Sequence, residues 1–424
     1  MVETVGTGER LLPLFPENAA VDDAGMLSVG GCAVDELAER FGTPLYVVDE
    51  AGMRAQGRRF VEGLRERWPR SRVLFASKSL PVVAVYRLFA DEGLGVDVAG
   101  AGELRMALAA GVDPASIYLH GSAKTDAELR LALENGVGTI VVDNVDDIDR
   151  IERFGAVRQR VLLRLIPGVA PETHASQSTG GDSSKFGLPF AQALAAIERM
   201  GASEAFDVAG VHLHIGSQVL ATAPFAQAVE AVSAVGRFDQ YDVGGGLGVR
   251  YTLDDAVPSV ESYLTAVVEA ARGHLPADAE LVIEPGRSLV GRAVTLVYRV
   301  STVKRTARTF VAVDGGMSDL LDAALTQQPY EIASATRMHD PCTAVVDVVG
   351  RQCESGDLLV GGAALPETQP GDLLAVPAAG AYSFTFANNY NGALRPAVVF
   401  CDGGEARVVV RRQTYDELLA PHLV

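Results

Sequence analysis

From about residue 70 to residue 290, short apolar runs alternate with segments of helical periodicity. The runs are RVLFAS at 72–77, GVDV at 95–98, SIYL at 116–119, GTIVVD at 138–143, RVLLRL at 160–165, GVHLHI at 210–215, DQYDV at 239–243 and LVIEP at 281–285. Each is rich in Val, Ile or Leu and stops near Gly, Asp, His or Pro. That is the pattern of parallel strands buried on both faces. Between them lie stretches such as ELRMALAAG and DAELRLALENG, with apolar residues at helical spacing and Gly at the stop. Eight such repeats predict a closed (β/α)8 barrel, with an open doubly wound sheet as the alternative.

The texture changes after residue 290. VTLVYRVSTVKR, RTFVAVDGG, CTAVVDVVGRQC, DLLAVP, AVVFCDGG and EARVVVRRQ read as strands separated by turn residues. They predict a second, all-β domain, a Greek-key barrel or sandwich, followed by a short helix in TYDELLAPHL. The N-terminal stretch, through PLYVVDE at 44–50, is expected to join that domain. The expected division is an N-terminal segment over 1–45, a barrel over 46–290 and a C-terminal β domain over 291–424.

Composition narrows the function. The chain has 424 residues and a net charge of −18, which disfavours binding to a phosphate backbone. A local pocket can still reverse that field for a small anion. No apolar run reaches the roughly 20 residues of a membrane span, and the first residues lack a basic stretch followed by an apolar one. The four cysteines, Cys32, Cys342, Cys353 and Cys401, are scattered and form no CxxC pair. Neither a disulfide framework nor a zinc site is expected, and a reducing cytoplasm fits.

In a barrel, chemistry gathers where the strands end at their C-terminal face. Lys78 follows the first run, Asp97 lies in the second, and His120 and Gly121 follow the third. Asp143 ends the fourth and Arg164 lies in the fifth. His214 lies near the end of the sixth, Gly244, Gly245 and Gly246 follow the seventh, and Glu284 ends the eighth. Each has a bland reading. A lysine past an apolar strand usually snorkels to the surface, though one facing the barrel mouth must pair or lose its proton and can then form an imine. GGGLG at 244–248 is either a loose turn or a backbone cradle for phosphate. It is no dinucleotide fingerprint, because Val249 stands where a third Gly or Ala is needed, and GAGELR at 100–105 fails in the same way at Arg105. His214 is either a core histidine or a flat partner for an aromatic ring. Glu284 either pairs with Arg287 or holds a proton on a pyridine nitrogen. Cys353 is an ordinary thiol or, beside Glu354, a proton donor. Taken singly none decides; the recurrence at one end of nearly every strand is hard to explain by packing.

The motifs FASKSL, GVDVAGAGEL, HGSAKTDAEL, SSKFGL, HLHIGSQ, GGGLG, EPGR, VDGGMSD, CESGD, GAYSF and NNYN together resemble the diaminopimelate decarboxylases. These belong to the barrel-type pyridoxal-phosphate decarboxylases that include ornithine decarboxylase. The resemblance runs from about residue 40 to the end. It implies a homodimeric amino-acid decarboxylase with pyridoxal 5'-phosphate held by Lys78 as a Schiff base. By position, Asp97 would belong to the cofactor site, His214 would stack on the ring and Glu284 would pair with its nitrogen. Ser217, Gly244, Gly245, Gly246 and Tyr382 would line the phosphate site, with Gly286 and Arg287 nearby. Arg287 would also approach a substrate carboxylate. Cys353 and Glu354 would come from the partner subunit, with Tyr382 beside the substrate, and either Cys353 or Lys78 would return a proton after CO2 leaves.

The chain departs from the family at one place. The family reads Arg-x-Ala-Leu-Tyr shortly after its Asp-Gly-Gly-Met motif, where this chain reads MSDLLDAALTQQPYEI. Asp322 stands at the arginine position and Thr326 at the tyrosine position, where the family holds the distal carboxylate of diaminopimelate. At an effective dielectric of about 20 and a spacing near ~4 Å, one unit charge is worth roughly 4 kcal/mol, and Asp for Arg changes two. The expected substrate therefore carries a cationic or diaminopimelate-like distal group. The alternatives are meso-diaminopimelate itself, with an arginine such as Arg351 restoring the contact, or a homologue that binds the cofactor and has lost catalysis. Ala99 in the GEL motif, and Ser79 and Leu80 after Lys78, are smaller departures that decide nothing.

Overall fold

All eight apolar runs form parallel strands of one closed barrel in the computed structural model, which describes residues 6–155, 158–166, 168 and 184–423. They are β1 (Ser71–Ala76), β2 (Gly95–Val98), β3 (Ile117–Leu119), β4 (Thr139–Val142), β5 (Gln159–Arg164), β6 (Phe206–His212), β7 (Gln240–Asp242) and β8 (Glu280–Ile283). They pair in chain order, and β8 closes on β1 through Leu281 opposite Ser71. Every residue of β2, β3, β4 and β7 is buried, because helices cover the outside and side chains fill the inside. Leu74, Tyr118, Val141, Leu162, Ala209 and Val282 form the interior layer.

Local signals set the helix starts. Thr125 and Glu128 form a reciprocal capping box before the helix Asp126–Glu134. Asn144 caps Val145–Phe154 by accepting from the Asp147 N–H, and Gly155 ends that helix in the left-handed region at φ 60°. Such short, capped connections leave the C-terminal strand ends open for chemistry.

The chain divides into two compact units. The barrel unit comprises 56–248 and 257–288; the other comprises 1–55, 249–256 and 289–424. The second unit is built on a sheet in the order Leu358–Leu365, Ala344–Val349, Thr309–Val313, Val294–Arg305, Leu45–Asp49, Ala397–Asp402, Glu405–Val410. Leu373–Val376 also pairs with Val294–Arg305 and with Ala333–Ser334. The early strand Leu45–Asp49 is central: it lies antiparallel to Val294–Arg305 and parallel to Ala397–Asp402. Its five residues are all buried, so this unit cannot complete its core without the start of the chain. A small sheet of Ala19–Val21, Leu27–Val29 and Cys32–Ala33 and the helix Val34–Phe41 add Leu27, Val29, Val34 and Leu37 to the same core.

Candidate active site

The barrel register places charged residues side by side at the C-terminal face. Ala76 of β1 is opposite Asp97 of β2, Arg164 of β5 is opposite His212 of β6, and His212 is opposite Asp242 of β7. Glu284 follows β8 directly and is 5% exposed. Its two carboxylate oxygens meet two imidazoles: His120 Nε2 lies 2.8 Å from Oε1, and His212 Nε2 lies 3.1 Å from Oε2. The His120 contact is close enough for an ion pair but off the line of a good hydrogen bond, so both atoms keep bonding capacity. His120 also lies 3.7 Å from Asp97 Oδ1.

Electrostatics follow from this crowding. Burial opposes the charge on Glu284, yet His120 and His212 hold its carboxyl well below the usual range. Burial also opposes a charged His120, but Asp97 and Glu284 outweigh it and raise its pKa. Burial pushes the Asp97 carboxyl up to about 6, against the pull of His120. It lowers His212 to about 4. Burial and the Glu284 charge push the Asp242 carboxyl well up.

Lys78 sits in the turn Ser77–Ser79 immediately after β1, and its side chain is exposed at the mouth. Its charge reaches the site: it helps hold Asp97 ionised and, after burial, is the largest influence lowering His214 well below the imidazole range. His214 accepts a hydrogen bond at Nδ1 from the Gly245 N–H at 3.2 Å, which leaves the ring neutral with its proton on Nε2.

The glycines of 244–246 are required by close backbone approach. A Cβ would lie 2.5 Å from the Leu213 carbonyl oxygen at Gly244, 1.9 Å from that of Glu284 at Gly245, and 2.5 Å from that of Gly216 at Gly246. A Cβ at Gly286 would meet that of Ala76 at 3.1 Å. Beside this turn, Arg287 is buried and donates from Nε to Ser217 Oγ at 3.2 Å. A buried anionic acceptor with spare capacity, a half-buried neutral imidazole, a side-chain-free backbone turn flanked by an arginine, and a lysine at the mouth fit the nitrogen, ring, phosphate and aldehyde of pyridoxal phosphate.

In the other unit the late motifs converge on Asp357. Its carboxylate accepts from the Met317 and Gln352 N–H groups at 2.6 and 2.9 Å, and its carbonyl accepts from Gly350 at 3.0 Å. Gln352 Nε2 donates to Ser318 Oγ at 2.6 Å, and the Cys353 N–H donates to Asn391 Oδ1 at 2.6 Å. VDGGMSD, CESGD and NNYN are thus one network that presents Cys353 and Glu354 at the surface, with the Tyr390 hydroxyl 3.4 Å from Glu354. Tyr382 stands in the left-handed region at φ 62°, stacked on Phe386. Asp322 is buried, and its oxygens meet the Thr326 and Tyr330 hydroxyls at 3.1 and 3.3 Å.

Sequence reasoning passed over His212, Asp242 and Tyr330. A signal existed for His212, because residues two apart on a strand share a face and His214 was already singled out. The Asp242 signal was its place just before the glycine turn. Ser183, in the SSKFGL motif, lies outside the described residues.

This barrel and its strand-end chemistry define a pyridoxal-phosphate enzyme, and residues 54–291 match the family model described as pyridoxal-dependent decarboxylase, pyridoxal binding domain. Relatives along the whole chain narrow that class. The chain is 41% identical to the diaminopimelate decarboxylase of Bacillus subtilis, over 93% of this chain and 94% of that one. It is 42% identical to that of Actinosynnema pretiosum, over 99% and 98%. A crystal structure of the M. jannaschii diaminopimelate decarboxylase in complex with L-lysine matches with a TM-score of 0.88 at 30% identity, covering 96% of this chain and 98% of that one. The chain belongs to the diaminopimelate decarboxylase family and is a pyridoxal-phosphate-dependent carboxy-lyase. Among the described residues no helix is long and apolar enough to cross a membrane.

Proposed function

We propose that the chain decarboxylates an α-amino acid with a second amino group at its far end, within the diaminopimelate class. The observation that carries the reaction is the buried Glu284, held anionic by two imidazoles at the barrel mouth. Bound pyridoxal phosphate supplies the electron sink for the carbanion that CO2 leaves behind. The chain's own residues do the rest. Lys78 Nζ anchors the cofactor, and Glu284 holds the ring nitrogen protonated. His214 packs on the ring, and the 244–246 turn with Ser217, Arg287 and Tyr382 binds the phosphate. Arg287 also faces a substrate carboxylate, and Asp97 tempers the charge on His120. Cys353 Sγ or Lys78 Nζ returns the proton, with Cys353 and Glu354 coming from the partner in a homodimer.

Diaminopimelate itself is supported by full-length relatives at 41 and 42% identity that carry that name, and by lysine in the M. jannaschii complex. A second reading is favoured by Asp322 and Thr326, which stand where the family holds a distal carboxylate. In that reading the distal group is an amine without a carboxylate, as in ornithine, lysine or arginine derivatives. CO2 release from meso-diaminopimelate, ornithine, lysine and arginine separates the two. Fast turnover of meso-diaminopimelate alone sinks the second reading. Turnover of the monocarboxylic diamines, with D322R–T326Y shifting preference to diaminopimelate, sinks the first.

A further inference from the structure

Glu284 is held by a pair of side chains whose roles differ, and the difference is geometric. His212 Nε2 faces Glu284 Oε2 at 3.1 Å, while its Nδ1 is buried with no hydrogen-bond partner among the described residues. A proton on that Nδ1 would leave a buried donor unsatisfied, at a cost of about 1–3 kcal/mol. His212 is therefore the neutral tautomer, with its one N–H aimed at Glu284. His120 turns one nitrogen, Nε2, toward two carboxylates, Glu284 at 2.8 Å and Asp97 at 3.7 Å, and their combined negative charge favours a cation there. The two rings meet edge to face at 4.9 Å between centroids and 74° between planes, so they approach the carboxylate from different directions.

We propose that His120 and His212 are positioning residues that clamp the Glu284 carboxylate, one imidazole on each oxygen, His120 as the cation and His212 as a neutral donor. A carboxylate on a free side chain rotates, and a buried one tends to take up a proton. Either change would remove the acceptor that a pyridine N–H needs. The clamp prevents both: two fixed contacts set the plane of the carboxylate, and the His120 charge keeps it ionised. The spare capacity at Oε1 is left for the ring nitrogen.

The other charged groups around Glu284 agree with this division. Asp97 on β2 shares the His120 cation. On β7, burial and the Glu284 charge push the Asp242 carboxyl well up, and its Oδ1 accepts the Gly244 N–H at 2.9 Å. Arg164 on β5 is directed to Asp143, with Nε 3.9 Å from Oδ1. His214 after β6 is neutral and engaged with Gly245. Lys78 after β1 is exposed. His120 is thus the buried cation in contact with Glu284 among the described residues.

This proposal rests on the assignment of Glu284 to the ring nitrogen, and the experiment separates the two. The holoenzymes of wild type, E284Q, H120Q, H212Q and H212L are compared by pH titration of the cofactor's visible absorption and by kcat and KM. Glutamine reproduces the Nε2 donor of histidine without its charge. H212Q should therefore stay within about twofold of wild type in kcat, while H212L loses about tenfold or more. H120Q keeps a donor but loses the cation. Its kcat should fall about tenfold or more with KM nearly unchanged, and the acidic transition of its absorption should move up by about one pH unit. If E284Q leaves the absorption profile unchanged, the Glu284 reading falls and this proposal with it. If E284Q changes the profile and H120Q does not, the proposal alone falls. It falls too if H212Q is as impaired as H212L. The three ligand atoms lie within 4.8 Å of one another, so a stoichiometric metal in the wild-type holoenzyme that is lost from both histidine variants would also overturn it.

Discussion

Replacing Gly245 by alanine tests the proposed phosphate cradle with one methyl group. The backbone at Gly245 is not in the left-handed region, so the substitution adds no conformational strain of its own. Its effect is purely steric. The new Cβ would lie 1.9 Å from the Glu284 carbonyl oxygen and 2.8 Å from the carbonyl carbon. An ordinary contact of ~3.5 Å requires the turn after β7 to move by about 1.5 Å from the end of β8. Both partners are backbone, so no side-chain rotation can absorb the shift. The overpacking should cost about 1–3 kcal/mol of stability. A displacement of this size removes one or two charge-assisted hydrogen bonds to phosphate, each worth about 1.5–3 kcal/mol. The cofactor Kd should therefore rise about 10- to 100-fold or more. Turnover of the reloaded enzyme should fall about 100-fold, because misplacement by ~1 Å is enough for that. The assays are urea unfolding of the apo protein, titration with pyridoxal phosphate followed by absorbance, and CO2 release. Gly273, in the helix Val260–His274, is the control: a Cβ there meets nothing within 4 Å. G273A should gain about 0.4–1 kcal/mol and leave turnover unchanged. If G245A binds the cofactor and turns over like wild type, the close approach at 245 has no functional role and the cradle assignment is wrong.

Three further outcomes are expected. Lys124 is buried and donates from Nζ to Asp147 Oδ2 at 2.8 Å, the Val141 carbonyl at 2.6 Å and that of Gly121 at 2.8 Å. K124M removes the buried partner of Asp147, leaving Arg150 Nη1 at 3.7 Å, and should cost about 3 kcal/mol in urea unfolding; a loss under 1 kcal/mol would show that the Lys124 contacts do not hold this end of the barrel. His212 is lowered to about 4 from 6.5, so between those values the unfolded chain binds a proton that the native state does not. That contribution lowers stability as pH falls through the window. The apo H212Q variant lacks it, and its stability relative to wild type should rise by roughly 3 kcal/mol from pH 6.5 to pH 4. A difference that stays constant or moves the other way refutes the assignment. Finally, on the proposed homodimer with Cys353 as the group that returns the proton, K78A and C353A are each inactive and regain activity when mixed and allowed to exchange subunits, because a mixed dimer would rebuild one complete site. Unchanged inactivity after proven exchange refutes the shared site.

Much of the architecture was legible because burial leaves a mark on composition. The barrel strands are covered on both faces, so they read as short continuous apolar runs, and the structure places all eight in the barrel within a few residues of the expected ends. Leu358–Leu365 was missed because Gly361 and Gly362 weaken the apolar signal; the strand is held by pairing with Ala344–Val349. The three short strands between Ala19 and Ala33 were missed because two or three residues carry no period.

The barrel, the separate β unit and the strand-end residues, Lys78, Asp97, His214 and Glu284 among them, were already written in the order of residues along the chain. This is so because alternation and strand endings are local properties. Which of these groups touch is a property of the folded barrel. Glu284 meets His120 and His212 across separations of 164 and 72 residues (284 − 120 and 284 − 212). Those contacts depend on barrel closure and on the register that sets Arg164 beside His212 and His212 beside Asp242. Protonation was decided there too: burial costs charge, and whether a partner restores it depends on distances that no spacing along the chain contains. Glu284, open in the sequence between an arginine partner and a ring partner, is in the folded chain an anion held between two imidazoles.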